Sequence, residues 1–244
     1  MSKEEKASLL VFIRNKYNLY VIVGTLCLLG YNIFKVAPDD LTPTKGGFYS
    51  YNLLLICFLV GIFIPISVGS FMGGYERSTN MLDYKLVSQS IMSWLKVQFT
   101  TMIKFFLLML ICASLLGGFL DLINHSNIGF YLYYALPRFL IIFFMWIFWG
   151  ILSFLIALLL DSHAISFIIC SAFFYIEQYT HLTFGILWNQ KSILRTLFKN
   201  DELPFGIVQS SFHSFSFSMT YICILLILFI IVIIFYLKKA YPNK

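Results

Sequence analysis

The stretch from Pro137 to Leu160 reads PRFLIIFFMWIFWGILSFLIALLL. Arg138 is its one charged residue, and it sits at the edge. As a helix rising about 1.5 Å per residue, the stretch reaches about 36 Å, more than the roughly 30 Å of a bilayer's hydrocarbon core. Proline suits a first helical turn, where its missing N–H would have no intrahelical partner. The stretch therefore reads as a transmembrane span. Asp161, Ser162 and His163 follow as a tight turn, and a further span is expected at about 164–184.

Working outward, spans are expected at about 17–34, 52–72 and 97–120 upstream and at about 219–237 downstream. Six spans make an all-α integral membrane protein with a single transmembrane domain over 1–244. Pro65 lies inside the second span and removes a helical hydrogen bond, so a kink is expected there. Composition agrees with this reading. Of 244 residues, 60% are hydrophobic and 11% charged, with a mean hydropathy of +0.86. Soluble domains carry about 25% charged residues, so lipid must solvate most of this surface. The net charge of +6 comes from Lys and Arg scattered between apolar runs. Nucleic acid needs a clustered basic face, so no nucleic-acid partner is expected. The first apolar run is too long for a signal-peptide core and lacks a small-residue cleavage site, so no cleaved leader is expected.

Two segments are amphipathic rather than spanning. Ser2 and Glu5 fit a capping box, and Leu9, Phe12, Ile13 and Tyr17 follow at helical spacing, apart from Lys6, Arg14 and Lys16. Ser2–Lys16 thus reads as an interfacial helix with its basic groups toward lipid headgroups, or as a plain basic flank of the first span. Gly185–Ser218 is too polar to span, yet Ile186, Leu187, Trp188, Ile193, Leu194, Leu197 and Phe198 make it more apolar than a solvent loop needs. An amphipathic or re-entrant helical segment fits both facts. Lys and Arg set the orientation. The side holding both termini and the break Gly73–Lys96 carries Lys3, Lys6, Arg14, Lys16, Arg77, Lys85, Lys96, Lys238, Lys239 and Lys244. The other side carries Lys35, Lys45, Lys191, Arg195 and Lys199. Both termini are therefore expected in the cytoplasm and Gly185–Ser218 outside.

Soluble-enzyme machinery is not visible. The sequence has no GxxxxGK[ST] phosphate loop, no HExxH metal motif and no GxSxG nucleophile elbow. Cys27, Cys57, Cys112, Cys170 and Cys223 each sit in a different apolar segment without metal-ligand spacing and read as packing residues. Neither catalytic residues nor a metal site are expected. Glu177 and His181, spaced i, i+4 late in the fifth span, share a helix face. A carboxylate at membrane depth points to a functional site. At about 1.5 Å per residue from His163, Glu177 lies about 21 Å across, so interfacial water is an equally fitting account. Gly24, Thr25, Ser67, Gly69, Ser70, Ser114, Ser153, Ser166 and Ser171 give the spans small and hydroxyl residues. Such residues suit close helix packing. Ser67 and Ser70, with Glu177 and His181, are also pathway candidates.

The arrangement resembles the permease subunits of type-2 ABC transporters. It has an interfacial N-terminal helix, six spans, a long cytoplasmic break after the second, a tight turn between the fourth and fifth, and an external re-entrant segment before the sixth. Permeases of this family place a Glu at the start of the break, then a short coupling helix, a Ser-containing turn and a Lys entering span three. Here Gly74-Tyr75-Glu76-Arg77 supplies the Glu, Met81–Val87 the helix, Ser88-Gln89-Ser90 the turn and Lys96 the Lys. Asn80-Met81 stands where the family often has Gly-Thr, and the usual Pro before the serine turn is absent. The resemblance implies a separate cytoplasmic ATPase that binds ATP and magnesium and receives the coupling helix, with no cofactor in this chain. It also implies a second permease subunit, identical or related. Met81, Leu82, Leu86 and Val87 would supply the apolar face of that helix, while Glu76, Arg77 and Lys85 would pair with charges on the ATPase. Small stand-alone permeases of this kind resemble exporters of antimicrobial or amphipathic peptides in bacterial plasma membranes, and 27 Phe and 15 Tyr suit a hydrophobic path.

Two other functions fit parts of the sequence. An intramembrane enzyme would use Glu177 with His181 or His163 as acid–base groups. A vitamin-binding subunit of an energy-coupling importer would also have about six spans, but has no need of the long break after the second.

Overall fold

The computed structural model describes residues 48–123, 136–179 and 215–242, together with residue 132 and most of 10–27. Seven helices are defined among these residues: α1 (Phe48–Leu59), α2 (Phe63–Ser78), α3 (Met81–Ser88), α4 (Ile91–Ile123), α5 (Leu136–Leu160), α6 (His163–Tyr179) and α7 (Phe215–Ala240). The described residues contain no strand. Among the described residues, four helical stretches are long and apolar enough to cross a membrane: Ile56–Ser78, Ile91–Ile123, Arg138–Leu160 and Thr220–Ala240. His163–Ile176 is apolar but shorter. The expected first span is only partly described. The segment 185–214 and the His181 side of the fifth span lie outside the described residues.

Two boundaries differ from expectation. The helix of the second span continues through Tyr75, Glu76 and Arg77 to Ser78, so the polar break begins later than Gly73. The third span begins at Ile91 and takes in Trp94 and Lys96. The helix that carries the last span begins at Phe215, ahead of the membrane-spanning stretch from Thr220.

The expected kink is also displaced. The helix breaks at Val60–Ile62, and Pro65 sits in the first turn of α2, where a proline is tolerated. Val60 and Gly61 both donate to the Ile56 carbonyl, at 2.8 and 2.9 Å. Cys57 thereby loses its helical donor, and the Trp146 indole replaces it at 3.1 Å. The Gly61 carbonyl, which a residue other than proline at 65 would have used, accepts from Ile64 at 3.0 Å. The Cys57 carbonyl freed at the break and the Gly61 carbonyl freed by the proline thus both find a donor, as a membrane interior requires.

α2 and α5 form the centre. Along their most apolar lengths, Ile56–Ser78 is 88% buried and Arg138–Leu160 67%, against 33% for Ile91–Ile123 and 22% for Thr220–Ala240. The two helices run side by side through Gly69 against Gly150 and Gly73 against Phe154. A Cβ on Gly69 would stand 2.0 Å from the Gly150 carbonyl oxygen, and one on Gly73 would stand 2.3 Å from that of Phe154. This is the close approach that a small-xxx-small spacing permits in membranes. Phe106, Trp146, Phe148, Trp149, Phe154 and Phe174 fill the surrounding core. The outward faces of α4 and α7 carry Leu108, Leu115, Phe119, Ile227 and Phe235, all exposed and apolar.

Around Asn15 the N-terminal helical residues bend. Phe12 is fully buried, edge-on to Phe71 and Phe105, while Leu10, Arg14 and Lys16 are exposed. The end opposite the polar break is closed differently. Asp121, near the end of α4 and 1% exposed, accepts from the Tyr49 and Ser50 amides at 2.9 and 3.1 Å and from the Ser50 hydroxyl. A carboxylate from a distant helix thereby satisfies the orphan amides at the start of α1.

Candidate functional site at the polar end of the bundle

The C-terminal ends of α2, α5 and α7 meet the N-terminal ends of α4 and α6 at one end of the bundle. α3 lies there between α2 and α4. Asn80 enters it in the left-handed conformation (φ 56°), which asparagine tolerates better than most residues. Asp161, at φ 53°, makes the corresponding turn between α5 and α6.

Glu76 is the hub. It is 8% exposed and accepts from the Trp94 indole at 2.8 Å, from the Gln98 amide at 3.1 Å and from the Lys85 ammonium. One carboxylate therefore ties α2 to both α3 and α4. Burying it is tolerable because its charge is paired and both oxygens are hydrogen-bonded. The residues around it line a cavity of about 250 Å³ that includes Tyr75, Glu76, Met81, Lys85, Trp94 and Gln98. Arg77 pairs with Asp161 and lays its guanidinium 4.9 Å over the Tyr236 ring, joining α2 to the α5–α6 turn and to α7. The Tyr241 hydroxyl donates to Asp83 and so joins α7 to α3. Burial, and then this bond, push the Tyr241 phenol up to about 12.

The expected apolar face of the short helix is corrected. Leu82 and Leu86, each 1% exposed, point into the bundle and anchor α3. Met81, Tyr84 and Val87 form the outward stripe at i, i+3, i+6, with Tyr84 78% and Val87 73% exposed. Tyr84 was not among the residues singled out from sequence, though its spacing from Met81 and Val87 could have placed it there. Glu76, Arg77 and Lys85, expected to face a partner, have partners within the chain. Lys85 is drawn to Glu76 by charge, and Arg77 to Asp161.

Of the pathway candidates, the structure brings Ser67 and Ser70 together on the buried side of α2. Ser67 bonds Asn18 at 3.1 Å and Ser70 bonds Ser166 at 3.0 Å. Glu177 is on α6 by its backbone. Its side chain, and His181 altogether, lie outside what the structure describes, so the intramembrane acid–base pair has no geometry here. No group of His, Cys, Asp and Glu able to hold a metal ion occurs among the described residues. Compared with known protein families, curated proteins and solved structures, the chain matches none.

Proposed function

We propose that this chain is the transmembrane subunit of an ATP-driven exporter, coupled to a separate cytoplasmic ATPase. The observation that carries the reading is the construction of α3. Its inner face is clamped by Leu82, Leu86 and the Lys85–Glu76 pair, while Met81, Tyr84 and Val87 stand outward at the polar end. A short helix bonded to α2 through Glu76, which also holds α4, and to Tyr241 at the end of α7 moves them when it moves, which is what a coupling element must do. The partner ATPase binds the outward stripe through an apolar groove. A second copy of the chain, or a related one, completes the pathway. The protein then has six spans in a bacterial plasma membrane with both termini cytoplasmic, and its substrate is an amphipathic or hydrophobic peptide.

The test uses the full chain purified with the soluble phosphate-loop protein encoded beside it. Copurification and ATP-driven export are expected. Tyr84→Glu combined with Val87→Glu should abolish both while leaving the unfolding transition unchanged, because both side chains are exposed. Full export by the double variant would end this reading, as would the absence of any copurifying ATPase.

A further inference from the structure

A second cavity, of about 490 Å³, lies between the N-terminal helical residues, α2 and the start of α6. Asn18, Ser67, Ser70 and His163, with the Tyr20 hydroxyl, supply its polar groups, and Phe71, Phe167 and Ile168 much of its apolar wall. None of its described lining residues is Asp, Glu, Lys or Arg. At its rim Tyr20 and Ile168 are 67% and 64% exposed, so it opens sideways onto an apolar outer surface. Its size falls within the roughly 300–1,000 Å³ of small-molecule sites. Ser70 stands six residues along α2 from Glu76, about 9 Å in from the polar end.

The hydrogen-bond directions at the cavity are forced. Asn18 donates its amide to the Phe12 carbonyl at 3.3 Å, so its side-chain oxygen is the atom left to face Ser67. The Ser67 hydroxyl must then be the donor of the 3.1 Å bond between them. Ser166 donates to the Ser153 carbonyl at 2.7 Å and has no second proton to give. Ser70 is therefore the donor of the 3.0 Å bond to Ser166. Asn18, Ser67 and Ser70 are each no more than 5% exposed. With both hydroxyl protons committed, Ser67 and Ser70 offer the cavity only lone pairs. A carboxylate or phosphate placed against Ser67 and Ser70, itself only an acceptor, would meet those lone pairs there, at a large desolvation cost.

We propose that this cavity binds an uncharged membrane amphiphile, a lipid with an apolar chain and a hydroxyl-bearing head of the monoacylglycerol kind. The head donates to Ser67 and Ser70, and the chain lies along Phe71, Phe167 and Ile168 toward the bilayer. This site stands independently of ATP-driven transport. Equilibrium binding of 1-oleoylglycerol, methyl oleate and oleate to the full chain in phosphatidylcholine nanodiscs tests it. Methyl oleate keeps the chain and ester but has no donor, and oleate is anionic. 1-Oleoylglycerol should bind about tenfold more tightly than either, the difference expected of two buried hydrogen bonds. Ser67→Ala and Ser70→Ala should bring it toward methyl oleate. Ile168→Trp, at an exposed rim position that leaves the core intact, should weaken all three. Equal binding of methyl oleate or oleate, or unchanged binding to Ile168→Trp, overturns the proposal.

Discussion

Replacing Gly73 by Ala places one methyl group where two helix backbones touch. The new Cβ would stand 2.3 Å from the Phe154 carbonyl oxygen, about 1.1 Å short of the 3.4 Å at which ordinary contact begins. At Gly69 the shortfall is about 1.4 Å, against the Gly150 carbonyl. Neither obstacle is a side chain that can rotate away, so α2 and α5 must part by about 1 Å. A gap of that size forfeits a quarter to a half of each dispersion contact along the seam. Overpacking of this kind costs about 1–3 kcal/mol, and sometimes more. Alanine's better helix propensity returns at most about 1 kcal/mol. The expected net loss is about 2 kcal/mol for Gly73→Ala and somewhat more for Gly69→Ala. Because one separation accommodates both methyl groups, the double variant should lose less than the sum of the single losses. Reversible unfolding in mixed micelles with rising sodium dodecyl sulfate measures this, with Trp146 and Trp149 as reporters inside the core. Gly24→Ala is the control, since nothing lies within 4 Å of its Cβ position. If Gly73→Ala unfolds within about 0.5 kcal/mol of the wild type, the backbone-to-backbone seam is refuted.

Glu76→Ala should cost about 3 kcal/mol in the same assay, because the buried Trp94 indole and Gln98 amide lose their acceptor. Glu76→Gln should cost less, and equal losses would argue against the hub. Asp121→Ala should destabilise by about 2 kcal/mol through the uncapped Tyr49 and Ser50 amides, with Asp121→Asn intermediate; no loss in either would show that the cap is not formed. The Tyr241 phenol is held protonated up to about 12, above its ordinary value near 10. Its bond to Asp83 therefore contributes fully below pH 10, and that contribution is lost as the pH rises from 10 to 12. Tyr241→Phe should remove this part of the alkaline unfolding curve, and an unchanged curve would count against the contact.

Much of the framework could be read from the residues alone. The charge-free run Phe139–Leu160 and the tight turn at Asp161 follow from composition, length and turn chemistry, all of which are local, whereas a short helix at Met81–Val87 was expected only through the family resemblance. Gly69 was recognisable as a packing residue, while Ser67 and Ser70 could be read either as packing residues or as pathway candidates. What sequence could not supply was the identity of each neighbour. In a soluble protein the polar face of a helix reveals its buried face. Here lipid is as apolar as the core, so α4 and α7 look alike on both faces. Only the tertiary structure decided that Gly69 meets Gly150, that Asp121 caps a helix 71 residues away, and that Leu82 and Leu86 turn inward while Tyr84 turns out. The pairing of Glu76 with Lys85, Trp94 and Gln98 belongs with these. A charge in the sequence shows that a partner is needed, and the fold alone determines whether that partner lies within the chain.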